Sequence, residues 1–411
     1  MNNINYIDVF AGGGGLSEGF HRQGFTPIAH VEYDKAACYT LMTRACYHYF
    51  KKISNESIYY SYLKGVISRE AMYSLVPKDV LSAVINAEIG PDNKSIFERI
   101  DTLKKGKEVD LIIGGPPCQA YSSLGRGALK HKPDDPRKRL YIQYGRFLNR
   151  YKPKVFVFEN VKGLLNSENG AHFKNLQKYY KGLGYVVEAK VLNAYDYGVV
   201  QQRERIIIVG WKKELDFKYP EIKKLKNEHT TRDIFDDLPF IGPGEKRKTL
   251  PYRKKASDYL KANLIADGSS FVSQHITRPH NQNDLNIYML AINELQKGIR
   301  LKNNAIPENI RTQKNTKDFL DRFKVVGDIP HTMIAHIAKD GHHFIHPDAK
   351  QLRSISVREA ARIQSFPDSY FFEGTTERGF RTAAFRQIGN AVPPLMAERI
   401  AEQIRILLNE K

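Results

Sequence analysis

Between residues 4 and 211 short apolar runs alternate with helical stretches, and no other feature narrows the possible folds as far. Residues 4–10 read as a buried strand, followed by a glycine run and a helix around 16–23. A second strand covers 28–32, and Asp34 is placed to cap a helix over 35–49. Further strands are expected at 109–114, 154–161, 185–192 and 205–211, and further helices at 137–151 and 171–181. Strands that are apolar throughout bury both faces, which predicts a parallel sheet with helices on either side. The expected fold class is therefore α/β, doubly wound and Rossmann-like. Ligands of such sheets bind beyond the carboxyl ends of the strands, so the informative residues lie just past each one.

Two stretches break the rhythm. Residues 47–89 are polar-aromatic and partly helical, and look like an insertion between two strands. Residues 216–329 lose the alternation and carry two basic runs, Lys246-Arg247-Lys248 and Arg253-Lys254-Lys255. Such runs are either a solvated face or phosphate contacts, and the charge of the whole chain favours the second. Helices return at 357–365, 380–388 and 394–408. The 411 residues hold 64 Lys and Arg against 45 Asp and Glu, a formal net charge of +19, which points to a polyanionic partner, most commonly nucleic acid. Basic ribosomal or surface-coating proteins would share that charge. No apolar run reaches the roughly 18 residues a membrane-spanning helix needs, and no secretory leader pattern opens the chain. Three cysteines make no disulfide framework, and their scatter makes no zinc site, so no metal is expected.

The chemistry-bearing residues fall where the fold predicts. Asp8-Val9-Phe10-Ala11-Gly12-Gly13-Gly14-Gly15 joins the first strand to its helix, and Glu32 ends the second strand, where an acid can bind ribose hydroxyls. The dinucleotide fingerprint is incomplete. The loop is therefore either a tight turn or a site for a nucleoside cofactor lacking phosphates, such as S-adenosylmethionine. Gly114-Gly115-Pro116-Pro117-Cys118-Gln119 follows, and its prolines aim Cys118 at the ligand edge of the sheet. Cys38 and Cys46 read as small hydrophobes. Residues 120–136, rich in Gly, Ser and Lys, have the composition of a closing lid. Glu159 ends an apolar strand, which requires that it be paired or functional. Alternation sends Arg203 and Arg205 to one face, to hold an anion, orient Glu159, or build a structural ion-pair network.

Together these segments resemble the cytosine-5 DNA methyltransferases of bacterial restriction–modification systems. The resemblance rests on Asp8 to Gly15, Glu32, Gly115-Pro116-Pro117-Cys118-Gln119, Glu159-Asn160-Val161, Gln201-x-Arg203-x-Arg205, Arg358 to Pro367 and Gly389-Asn390-Ala391-Val392. It implies a catalytic and cofactor-binding domain of 1–215 plus 380–411, with 216–379 as target-recognition domain and hinge. It implies Cys118, Glu159, Arg203 and Arg205 as catalytic residues. Phe10, Ala11, Gly12, Gly13, Gly14, Glu32, Tyr33, Pro116, Leu140, Asn390 and Ala391 would line an S-adenosyl-L-methionine pocket. The implied partner is double-stranded DNA, met by a cytoplasmic, nucleoid-associated monomer alongside a separately acting restriction endonuclease. The family's Asp-Ile after the third strand has only Glu88-Ile89 as a counterpart. Other readings of the same chain are a transfer-RNA cytosine methyltransferase, a non-catalytic DNA-binding regulator and a nicotinamide dehydrogenase. The long basic interval, the presence of both Cys118 and Glu159, and the broken glycine fingerprint speak against them in turn.

Overall fold

The computed structural model describes residues 3–117, 139–376 and 379–409. Seven strands form one sheet: β1 (Asn5–Val9), β2 (Thr26–Glu32), β3 (Val84–Asn86), β4 (Leu111–Gly114), β5 (Val155–Asn160), β6 (Tyr185–Asn193) and β7 (Glu204–Lys212). Their order is β3-β2-β1-β4-β5-β7-β6. The first five pair in parallel, whereas β7 runs antiparallel to both β5 and β6. The expectation of a wholly parallel sheet is corrected there. Only residues 194–203 separate β6 from β7. A parallel pair needs a crossover of about a dozen residues or more, so this connection returns antiparallel.

Strand periodicity divides the core in two. Tyr6, Leu111, Ile113, Val155, Val157, Ile207 and Val209 face the helices Gly15–Arg22 and Pro394–Asn409. Their chain neighbours Ile7, Val9, Ile112, Phe156, Phe158, Ile206 and Ile208 face Lys94–Lys104, Leu140–Tyr151 and Ala171–Gly182. Each fully buried aliphatic side chain contributes about 1.5–3 kcal/mol of transfer free energy, enough to fix which face each strand presents. The C-terminal helix thereby completes the first of these two layers. Asp34 caps the helix Lys35–Lys52 by accepting from the amides of Ala36 and Ala37.

Residues 47–89 are not a plain insertion. They hold the helices Glu56–Leu63, Arg69–Ser74 and Lys78–Ser82, and then β3, the edge strand. Tyr47, Phe50, Tyr59, Leu63 and Met72 pack with Phe271, so this segment joins the sheet domain to the region beyond residue 216. That region also contains a helix missed by its sequence pattern, Gln282–Gln296, although its cap is readable: the Asn281 side chain accepts from the amide of Asp284. Among the described residues no helix is long and apolar enough to cross a membrane, and no group of His, Cys, Asp and Glu has the arrangement of a metal site.

Candidate active site

Glu159 sits at the carboxyl end of β5 and is only 8% exposed. Arg205, on the neighbouring β7, places its Nε 2.8 Å from Glu159 Oε1. Burial raises the Glu159 pKa, and the charges of Arg205 and Arg203 and the Arg205 hydrogen bond only partly oppose it. A carboxyl poised this way can hold a proton closer to neutral pH than an exposed one. The loop after β4 lies directly against it: a Cβ built on Gly115 would stand 2.6 Å from Glu159 Oε2. Asn160 fastens the loop, donating from Nδ2 to the Pro116 carbonyl at 3.1 Å while its Oδ1 accepts from the Val161 amide. Cys118 and the 120–136 lid expectation lie outside the described residues.

Arg203 and Arg205 serve different partners. The Arg203 guanidinium is fully buried and donates to the carbonyls of Met333, Gly389 and Ala391. Gln201 supports the same junction: its Oε1 accepts from the Met333 amide, and its Nε2 donates to Gln364 Oε1 at 2.7 Å. Gln364 in turn donates to the Ile388 carbonyl at 2.6 Å. Sequence reasoning misses Asn160, Gln201 and Gln364 as site builders, although each stands inside one of the motifs that carry the resemblance.

The second cluster surrounds the glycine loop. Phe10 and Gly12 both have positive φ, 59° and 55°. The amide of Gly12 donates to Glu32 Oε2 at 2.7 Å, and that of Asp34 to Glu32 Oε1 at 2.8 Å. Burial raises the Glu32 pKa despite these bonds. A Cβ built on Gly12 meets nothing within 4 Å, so the loop faces open space on that side. Tyr33 is 63% exposed and Asn390 is exposed, whereas Ala11 and Ala391 are buried. Gly13 and Gly14 contact Gln387 and Tyr370, Pro116 is buried, and Leu140 opens its helix half-buried. Glu88 is exposed two residues beyond β3, and its charge, with those of Glu32 and Asp34, adds to partial desolvation in raising the Tyr33 pKa. An open loop without the dinucleotide fingerprint, flanked by a buried acid and an exposed aromatic, fits a nucleoside-type cofactor.

The family model for C-5 cytosine-specific DNA methylases matches residues 4–65 and 79–405. The chain belongs to that family. As a member it is a DNA (cytosine-5)-methyltransferase, and the sheet order above is its methyltransferase fold. The methylase is 39% identical to the Type II methyltransferase M.Bpa9945I of Bacillus paralicheniformis, over 98% of this chain and 99% of that protein. It is 33% identical to M.XorII of Xanthomonas oryzae pv. oryzae, over 98% and 85% of the two chains. It is 30% identical to M.DdeI of Desulfomicrobium norvegicum, over 98% and 88%. Among solved structures, an E. coli prophage protein described as a DNA modification methyltransferase superposes with a TM-score of 0.68 at 23% identity, covering 99% of this chain and 100% of that one. The Entamoeba histolytica methyltransferase EhMeth superposes with a TM-score of 0.54 at 14% identity, covering 100% and 99%.

The close approach at Gly115 yields a prediction for the methylase. Gly115→Ala forces the Glu159 carboxyl to move, because 2.6 Å is shorter than any ordinary Cβ contact. A displacement of about 1 Å at a reacting group costs on the order of a hundredfold in rate. Single-turnover methylation should fall by about that factor, with the melting temperature little changed. Full activity in this variant would show that Glu159 tolerates displacement.

Proposed function

We propose that this methylase transfers a methyl group to C5 of one cytosine within a specific double-stranded DNA sequence, as the modification enzyme of a Type II restriction–modification system. The observation that carries the reading is Glu159, a buried carboxyl with a raised pKa beside the Gly115-Pro116-Pro117 loop and braced by Arg205. Cytosine C5 is a poor nucleophile. Addition of the Cys118 thiolate to C6, with Glu159 giving a proton to N3, converts the ring to an enamine whose C5 is nucleophilic. S-adenosyl-L-methionine, when bound, supplies the electrophilic methyl group. Loss of the C5 proton to a base and departure of the Cys118 thiolate then re-form the C5–C6 double bond, and N3 gives its proton back to Glu159. The ring must leave the duplex to be reached, so the target base is flipped out.

Arg205 orients and balances Glu159. Arg203 is a positioning residue, because its guanidinium binds three backbone carbonyls from distant segments. Phe10, Ala11, Gly12, Glu32, Tyr33, Asn390 and Ala391 would hold the cofactor, with Glu88 as a further acid at its edge. Residues 216–379 supply target recognition. The enzyme acts as a cytoplasmic monomer on nucleoid DNA, and a cognate endonuclease acts separately. Tritiated methyl transfer to DNA and to RNA tests the substrate class, and bisulfite sequencing of DNA from expressing cells reads the target. Transfer to RNA alone would overturn the reading.

The basic runs give a second prediction. All six side chains of Lys246-Arg247-Lys248 and Arg253-Lys254-Lys255 are exposed, and Arg247 and Lys254 pair with Glu245 and Asp236. Neutralising all six should weaken binding to every DNA sequence. The logarithmic salt slope should flatten by about 0.9 for each phosphate that is no longer neutralised. The methylated sequence should not change, since phosphate contacts position and base contacts specify. Exchange of residues 216–330 for those of a relative should do the reverse. An active chimera that keeps the original target would place specificity elsewhere.

A further inference from the structure

Residues 66–78 fall between the two stretches that match the family model, and they contain the helix Arg69–Ser74. Its side chains reach a buried acid far away in sequence. Arg69 Nη1 lies 3.5 Å from Glu373 Oε2, and the guanidinium lies over the Tyr39 ring at 3.8 Å. The other carboxylate oxygen of Glu373 accepts from Tyr62 at 2.5 Å and from Thr43 at 2.7 Å. Tyr73, on the same helix, donates to the Tyr39 carbonyl, and its hydroxyl lies 3.0 Å from Thr43 Oγ1. Tyr59, from the preceding helix, donates to the Ser369 carbonyl at 2.7 Å. Every one of these contacts grips residues 369–373 or the helix beneath them.

The gripped segment ends at the glycine loop. Tyr370 donates its hydroxyl to the Gly13 carbonyl at 2.7 Å. The Glu373 amide donates to Thr40 Oγ1, Thr40 donates to Gln387 Oε1, and Gln387 Nε2 returns to the Glu373 carbonyl. A Cβ built on Gly13 would stand 3.1 Å from Gln387 Cβ, so Gln387 is the wall behind the loop. We propose that the helices spanning 56–74 form a clamp that positions the cofactor loop, acting through Arg69, Tyr62 and Glu373 on the segment that holds Gly13. Arg69 is a positioning residue for cofactor binding, and the 66–78 segment has a role in this enzyme beyond filling space. The inference rests on the reading of the glycine loop as the S-adenosylmethionine site.

The test uses the full-length enzyme and S-adenosylmethionine, by calorimetric titration well below the melting temperature. Arg69→Ala should weaken cofactor binding about fivefold or more, the lower end of ordinary coupling between sites. The KM for cofactor should rise to match, while kcat at saturating cofactor and the affinity for DNA stay near their original values. Arg69→Lys, which keeps the cation, should recover part of the loss and also serves if the alanine variant folds poorly. A merely structural role would lower the melting temperature of both variants and leave cofactor affinity unchanged, and that result overturns the clamp. Tyr33→Ala separates the two levels, because Tyr33 is exposed and its loss does not disturb packing. Weakened binding in Tyr33→Ala with normal binding in Arg69→Ala sinks the clamp alone. Unchanged cofactor affinity in Tyr33→Ala removes the loop reading, and the clamp with it.

Discussion

Cys118→Ser should abolish methyl transfer, with a loss of about four powers of ten or more, as when the nucleophile of a covalent mechanism is removed. A free thiol ionises near pH ~8.5, and a nearby cation lowers that further, whereas a serine hydroxyl stays protonated across the working range. Neither remaining cysteine can substitute. Cys38 and Cys46 are buried, and burial pushes both thiols up to about 12. DNA and cofactor affinity should be largely retained, because the change swaps one small polar atom for another. The diagnostic measurement uses a duplex with 5-fluorocytosine at the target. Fluorine at C5 cannot leave as a proton, so elimination of the thiolate stalls and enzyme and DNA remain joined through denaturation. The joined species should form with the original enzyme and be absent with the serine variant. Appreciable turnover by Cys118→Ser would rule out addition at C6.

What the sequence makes readable here, and what it does not, follows from distance along the chain. Glu32 and Glu159 are legible at strand ends because an acid closing an apolar run is a local pattern. The helix cap at Asp34 is local in the same sense. The antiparallel β7 is also within reach of the sequence, since the ten residues 194–203 are too few for a crossover. The three-residue β3 is not, because Val84-Ile85-Asn86 is too short to show a period and follows three short helices. The tasks of Arg203 and Arg205 are hidden for a different reason. Arg205 meets Glu159 across adjacent strands, but Arg203 binds carbonyls 130, 186 and 188 residues away. The Arg69 bond to Glu373 spans 304 residues. Such partners are set by how the C-terminal segments fold back over the sheet, and a single sequence carries no spacing that reveals them.

Glu159→Gln should slow methylation by about two to four powers of ten, the usual cost of losing a positioned proton donor. The amide keeps an oxygen for Arg205 Nε and nearly the same shape, so DNA binding should change far less than rate. The pH dependence separates proton donation from simple orientation. Burial raises the Glu159 pKa, with Arg205 and Arg203 opposing, and the form that donates is the protonated one. Single-turnover rates in the original enzyme should therefore decline as pH rises through that raised value, and the decline should vanish in the glutamine variant. Stability moves with the same sign. A carboxyl whose pKa is higher folded than unfolded favours folding below its unfolded pKa and loses that contribution as pH rises through the folded value. The melting temperature of Glu159→Gln, measured relative to the original enzyme, should thus improve as pH increases. A rate loss that is identical at all pH values, matched by an equal loss of DNA affinity, would make Glu159 a structural partner of Arg205 and move the proton at N3 to another group.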